Sequence, residues 1–173
     1  MLQELAACSE NHGGPLGEVG VTRLPYTEQH KAANELLSEW MIEAGMTVSL
    51  DAAATLIGRM PGQNGGKTLL LGSHQDSVRQ GGGFDGIMGV VLPIVVMLAL
   101  KDAGWKPPFS IEVLAFADEE GVRFPTALTG PRALAGTLDP TVLQLRDRDG
   151  IRLGEALTDF GGDENQIVTI ARS

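Results

Sequence analysis

Three apolar stretches decide the fold: "KTLLLGS" at residues 67–73, "GIMGVVLPIVVMLAL" at residues 86–100 and "FSIEVLAFA" at residues 109–117. The outer two are short apolar runs, which is typical of strands buried on both faces. The middle stretch suits a buried helix, because it is shorter than the roughly 20 apolar residues that a membrane span needs. Strand, helix and strand in this order predict an α/β fold with a mainly parallel or mixed sheet covered by helices.

Further elements are predicted on either side of this unit. A helix is expected over residues 27–45, a hairpin from residues 46–51 and 54–60, and short helices over residues 131–136 and within 140–161. Thr27 is the expected N-cap of the first of these helices, and Gly45 is expected to end it. Within the apolar helix, Pro93 is expected to cause a kink or a break, at a cost of about 3 kcal/mol.

Composition restricts the classes of partner. The net charge of −9 argues against nucleic acid and against an anionic membrane surface, since both require a basic patch. The single cysteine, Cys8, excludes an internal disulfide and suits a reducing compartment. Glu4 and Glu10 stand where a signal peptide would be apolar, so we expect one soluble, cytoplasmic domain.

Histidine and carboxylate side chains follow the two predicted parallel strands. His74 comes at the end of the first strand, and Asp118, Glu119 and Glu120 come directly after the second. The carboxyl ends of such strands are where ligands bind in open α/β sheets. The intervening helix begins soon after Asp85, and its N-terminal dipole favours an anion there. Three chain segments are therefore expected to meet at one edge of the sheet.

This combination of side chains suits a metal-dependent hydrolase. Imidazole nitrogen with carboxylate oxygen is a ligand set for zinc, manganese or cobalt. Asp76 could hydrogen-bond the second ring nitrogen of His74, and Asp85 could bridge two metals about 3.5–4 Å apart. Of Glu119 and Glu120, one could be a metal ligand while the other acts as general base.

Each of these residues also has a simpler interpretation. His74 could be an ordinary loop histidine, Asp85 an N-cap, and residues 118–120 a solvated turn. The glycines at 81–83 could suggest a phosphate-binding loop, but no GxxxxGK[ST] or GxGxxG pattern accompanies them. The metal-site interpretation is favoured because the three segments agree on one location.

Four motifs carry a family resemblance. They are "GSHQDSV" (72–78), "GGGFDGIMGV" (81–90), "FADEEGVRF" (116–124) and "TGPRALAG" (129–136). In this order and spacing, they resemble the motifs of M20-type metal-dependent amidohydrolases. Within that group they are most similar to the branch of N-carbamoyl-L-amino-acid hydrolases, allantoate amidohydrolases and β-ureidopropionases. The resemblance is strongest over residues 17–138.

The resemblance implies a role for each site residue. His74 would be a ligand of one metal, Asp85 the bridge, Glu120 a ligand of the other metal, Glu119 the general acid/base, and Asp76 the partner of His74. The cofactors would be two divalent ions, zinc, manganese or cobalt. The reaction would be hydrolysis of a linear amide C–N bond in the carbamoyl group of a small molecule, and the parent enzyme would be a homodimer. The substrate-binding residues are not identified by these motifs.

The same resemblance expects further histidine ligands downstream, and no histidine follows Glu120. His12, in a glycine-rich loop, and His30, in the first turn of a surface helix, are not expected to replace them. Residues 1–173 are therefore expected to form the N-terminal portion of a zinc-peptidase-like catalytic domain without its lid domain. This fragment is expected to bind metal weakly, to turn over little and to self-associate. The alternatives are a non-catalytic binding or assembly module and an M20-type peptidase or aminoacylase.

Overall fold

The structure, a computed structural model, describes residues 1–11, 17–64 and 66–172. Its helices are α1 (Leu2–Ala7), α2 (Glu28–Glu43), α3 (Met88–Asp102), α4 (Thr129–Leu134) and α5 (Leu153–Phe160), with 3-10 turns at Pro140–Gln144 and Ile167–Ile170. Its strands are β1 (Thr47–Leu50), β2 (Leu56–Met60), β3 (Thr68–His74) and β4 (Ser110–Phe116). The predicted α/β class, the hairpin and the short C-terminal helices are confirmed. None of the described helices combines the length and apolar character of a membrane span.

The four strands form one mixed sheet in the order β1-β2-β4-β3. β4 is parallel to β3, from which α3 leads to it, and antiparallel to β2. Residues 110–115 of β4 are all buried, as expected for a strand with neighbours on both sides. The main core lies between this sheet and α2 and α3, where Leu37, Met41 and Ile94 are fully buried.

β3 differs from its prediction. We expected it to be buried on both faces, but Leu69 is 43% and Leu70 is 40% exposed. These neighbours point to opposite faces, so both faces are open to solvent at this strand. The reason for this exposure is the position of β3 at the end of the sheet. The sequence does not predict that position, because an apolar run does not distinguish a central strand from an edge strand.

α2 begins as predicted, but its first-turn histidine is not on the surface. The side chain of Thr27 accepts a hydrogen bond from the backbone N–H of His30. His30 itself is fully buried, where its Nδ1 accepts from the N–H of Tyr26 at 3.0 Å and its ring stacks on Phe160. Burial lowers the pKa of His30 to about 3. His12, the other histidine set aside above, lies outside the described residues.

α3 runs unbroken through Pro93, contrary to the expected kink or break. Proline has no N–H, so the carbonyl of Gly89 loses its helical donor. The helix nevertheless continues to Asp102 and packs Val90, Val91, Ile94 and Met97 against the core. Its opposite side carries a second apolar row, the outer stripe, which is formed by Met88, Leu92, Val95 and Val96, all exposed.

Candidate metal centre

The candidate site lies at the carboxyl ends of β3 and β4. His74 is the last residue of β3, and Glu119 and Glu120 follow the end of β4. One ligand atom from each of these three side chains lies within 4.8 Å of the others. Within the described ranges, no other group of three histidine, cysteine or acidic residues comes so close together. The parallel pairing of the two strands therefore gathers these side chains as the sequence predicts.

The imidazole of His74 is held so that one nitrogen is free. Its Nδ1 is 2.9 Å from the backbone carbonyl of Asp76, so the Nδ1–H tautomer donates this hydrogen bond. Nε2 then carries the lone pair, and it faces Glu119 Oε2 at 3.8 Å and Asp85 Oδ1 at 3.9 Å. An imidazole fixed by a carbonyl at one nitrogen and open at the other is the arrangement of metal-bound histidines.

Asp85 lies beside this group but not within it. Its side chain is 63% exposed, and its Oδ1 is 3.9 Å from His74 Nε2. The alternative role of an N-cap is wrong, because α3 begins beyond it and has no side-chain cap. The bridging role stays a prediction.

Asp76 makes contacts different from those predicted. Its Oδ1 is 3.9 Å from His74 Nδ1, so the carboxylate does not hydrogen-bond the ring. The two carboxylate oxygens instead accept from the backbone N–H groups of Glu119, at 3.2 Å, and Glu120, at 3.1 Å. Burial raises the pKa of the Asp76 carboxyl, against the opposing effect of these two bonds. The expected contact with the ring is thus made by the backbone of residue 76.

The three acidic residues after β4 do not form one solvated turn. Asp118 is fully buried, accepts a hydrogen bond from the hydroxyl of Thr129, and has its pKa raised to about 7 by burial. Glu119 and Glu120 are half-buried and face the site. Burial, together with the neighbouring carboxylates of Glu119 and Asp85, raises the pKa of Glu120 against the opposing effect of His74. Crowded carboxylates beside a free imidazole nitrogen suit a divalent cation such as zinc, manganese or cobalt.

Two residues that support the site were not predicted. Gly86 has a φ of 65°, and a Cβ at this position would lie 2.4 Å from the imidazole of His74. The buried Arg23 donates to the carbonyl of Gln75, next to His74, at 2.7 Å. The Asp-Gly pair at 85–86 is a turn signal that could have indicated Gly86. No local pattern marks Arg23.

A comparison with family models identifies the family of the chain. The model described as Peptidase family M28 matches residues 55–152, which is more than half of the chain. The chain belongs to peptidase family M28. The matched region of this M28 chain includes His74, Asp76, Asp85 and both site glutamates.

Known relatives of this M28 chain carry the names that the motifs suggested. It is 45% identical over 164 residues to an N-carbamoyl-L-amino acid amidohydrolase of Geobacillus stearothermophilus, covering 91% of this chain and 40% of that protein. It is 38% identical over 134 residues to allantoate deiminase 1 of Glycine max, covering 76% of this chain and 28% of that protein. The predicted resemblance to this branch is confirmed. The chain spans 40% or less of the length of these two relatives.

Solved structures agree. A hydantoinase/carbamoylase family amidase from Burkholderia ambifaria superposes with a TM-score of 0.84 at 35% identity, covering 94% of this chain and 39% of that one. The predicted α/β fold is thereby confirmed, and it matches a part of this amidase fold.

Proposed function

We propose that this chain provides the N-terminal part of the catalytic domain of a metal-dependent amidohydrolase. The whole enzyme would hydrolyse a linear amide C–N bond in a carbamoyl group, as in N-carbamoyl-L-amino acids or allantoate, and release carbon dioxide and ammonia. The observation that carries this proposal is the convergence of His74, Glu119 and Glu120 within 4.8 Å at the end of the parallel strands. The names of the relatives support the carbamoyl substrate.

The metal ligands of this chain would be His74 through Nε2, Glu120, and Asp85 between two ions. Zinc, manganese or cobalt would be suitable, because imidazole and carboxylate ligands accept all three. Bound ions of this kind lower the pKa of a coordinated water and polarise a carbonyl group. Further ligands would come from the rest of the enzyme, since a catalytic zinc usually has three protein ligands and here each ion would have two.

Glu119 would act as the general acid/base. Its carboxylate reaches within 3.8 Å of His74 Nε2, and the side chain is 33% exposed, so it is accessible to a substrate in the site. It would take a proton from the attacking water and deliver it to the leaving nitrogen. Asp76 keeps the backbone of this glutamate in place through the hydrogen bond described above.

The test is ammonia release by the full-length enzyme in the presence of Mn²⁺, Co²⁺ or Zn²⁺. Glu119→Gln is expected to lower kcat by about 10²–10⁴-fold, the usual contribution of a general base. Glu39→Gln, at an exposed position of α2, is the matched control and should leave kcat unchanged. Unaltered turnover in Glu119→Gln would show that the assigned role is wrong.

A second substrate class is favoured by one observation, namely that the matching family model is that of peptidases. N-acyl amino acids or short peptides present the same kind of C–N bond without the terminal carbamoyl nitrogen. Parallel assays with N-carbamoyl, N-acetyl and dipeptide substrates of the same amino acid separate the two classes. We expect the N-carbamoyl substrate to have the highest kcat/KM.

The isolated chain is expected to bind metal weakly and to turn over little, because its described residues offer few ligands to each ion. Elemental analysis after extensive dialysis against metal-free buffer measures retained metal. We expect much less than one equivalent per chain. Two retained equivalents would contradict the proposal that ligands from elsewhere in the enzyme are required.

A further inference from the structure

The side chain of Asp76 connects the two strand ends that form the site. It is completely buried, and it reaches from the segment that follows β3 to the loop that follows β4. We propose that Asp76 is a positioning residue for Glu119 and Glu120, and that the orientation of His74 depends on the backbone of residue 76 and not on its carboxylate. The importance of the two glutamates rests on the function proposed above, whereas the contacts themselves do not.

The first argument is the pairing of donors and acceptors. Each carboxylate oxygen of Asp76 accepts from one of two consecutive backbone N–H groups, those of Glu119 and Glu120. Consecutive amides in an extended chain point in opposite directions, so they converge on one carboxylate only where the chain turns. Asp118, with a φ of 55°, and Gly121, with a φ of 66°, provide that turn on either side of the pair.

The second argument is that the backbone carbonyl groups of the same loop accept hydrogen bonds from a different segment, the start of α4. The N–H of Leu128 donates to the carbonyl of Glu119 at 3.0 Å, and the N–H of Thr129 donates to the carbonyl of Asp118 at 2.9 Å. The start of α4 thus fixes the carbonyls, and Asp76 fixes the N–H groups. With both sides of the backbone held, the two carboxylates project into the site at a defined spacing.

The third argument is that His74 does not need the carboxylate. Its Nδ1 is 2.9 Å from the carbonyl oxygen of Asp76 but 3.9 Å from the nearest carboxylate oxygen. A substitution of the side chain at position 76 leaves that carbonyl in place. The two possible roles of Asp76 can therefore be separated by changing the side chain alone.

Asp76→Asn is the variant that separates them. An asparagine amide offers an acceptor to one of the two N–H groups and places its own N–H₂ against the other. We expect amide hydrogen exchange at Glu119 or Glu120 to become at least tenfold faster in the metal-free chain. We expect ¹⁵N imidazole shifts to show that His74 keeps the Nδ1–H tautomer. Asp85→Asn, which removes an exposed carboxylate 3.9 Å from the same ring, is the matched control and should leave exchange at both glutamates unchanged.

Unchanged exchange at both glutamates in Asp76→Asn would overturn the proposal, and so would a shifted tautomer of His74. If the variant does not fold, the wild-type chain provides the measurement through couplings across the hydrogen bonds. These should link the amide nitrogens of Glu119 and Glu120 to the side-chain carboxyl carbon of Asp76, and coupling of both amides to other acceptors would overturn the proposal. None of these readouts depends on hydrolysis, so an inactive enzyme would contradict the proposed function and leave this inference standing.

Discussion

Gly86 illustrates how one missing side chain shapes the site. A Cβ on Gly86 would lie 2.4 Å from His74 Cε1, and the residue has a positive φ of 65°. Gly86→Ala is therefore expected to displace the imidazole and to destabilise the chain by about 1–3 kcal/mol through backbone strain and steric overlap. Calorimetric titration with Zn²⁺ should show at least tenfold weaker binding than in the wild type. Gly82→Ala, where a Cβ would meet open space, is the control and should bind as the wild type does.

His30 makes stability depend on pH. Its ordinary pKa of 6.5 falls to about 3 in the folded chain because the ring is fully buried. Between these two values the unfolded chain binds more protons, so the free energy of unfolding decreases as the pH falls from 6.5 towards 3. We expect a loss of about 3 kcal/mol between pH 7.5 and pH 4.5 from this group.

His30→Asn tests this expectation, since asparagine keeps an acceptor for the N–H of Tyr26 and does not titrate. Urea unfolding at pH 7.5 and pH 4.5 should show a smaller loss of stability in the variant than in the wild type. The same loss in both proteins would show that groups other than His30 are responsible. The buried carboxyls of Asp76 and Asp118 are not among them, because a pKa raised on folding adds stability as the pH falls.

Some of the individual site residues could be predicted from the sequence. His74, Glu119 and Glu120 were found because residues at the ends of adjacent parallel strands lie at one edge. The burial of Asp118 and the contacts of Asp76 were not found, because they depend on the left-handed conformation of residue 118, which the sequence does not mark. Left-handed backbone at a residue other than glycine is uncommon, so a solvated turn was the natural expectation.

Among the elements, α1 and the loop after β3 are joined by a single arginine. The buried guanidinium of Arg23 donates to the carbonyls of Leu5 and Cys8 at the end of α1, and to that of Gln75 beside the site. Arg23→Met is expected to lower the free energy of unfolding by about 3 kcal/mol, because buried carbonyls would lose charged donors. Urea denaturation measures this loss, and Arg79→Met, at a partly exposed arginine, should cost less than 1 kcal/mol.

β3 and β4 show that the burial of a strand cannot be predicted from its own sequence alone. Both are strands of seven residues formed by apolar runs, and the sequence predicts that both are buried on two faces. The structure buries β4 alone, because the hairpin β1–β2 pairs with β4 and leaves β3 at the edge. Strand order depends on pairing between distant segments, and hydrophobic periodicity carries no information about it. Pro93 is a similar case, because the packing of α3 on the sheet outweighs its local preference.

The molecule as a whole exposes apolar side chains on two neighbouring elements. The outer stripe of α3 and the exposed leucines of β3, Leu69 and Leu70, belong to two elements that pack against each other. Exposed apolar patches of this kind promote association, and an open strand edge adds unpaired backbone groups. We expect the isolated chain to self-associate, with an apparent mass that rises with concentration in light scattering.

Substitution of the outer stripe tests this expectation. Leu92→Glu combined with Val96→Glu should shift the chain towards monomer, because two charges would then lie on the apolar row. Glu35→Gln combined with Glu39→Gln, at exposed positions of α2, is the matched double control and should associate as the wild type does. A wild-type chain that remains monomeric at high concentration would contradict the prediction.

The central position of β4 has a consequence for synthesis on the ribosome. β2 and β3 each border β4, yet β4 is the last of the four strands to be translated. Until residue 116 has left the exit tunnel, the nascent chain displays one open edge of the β1–β2 hairpin, the unpaired strand β3 and an apolar helix with no complete sheet to cover. Slow codons placed before this point would prolong that interval, whereas binding by a chaperone that recognises apolar segments would shield it.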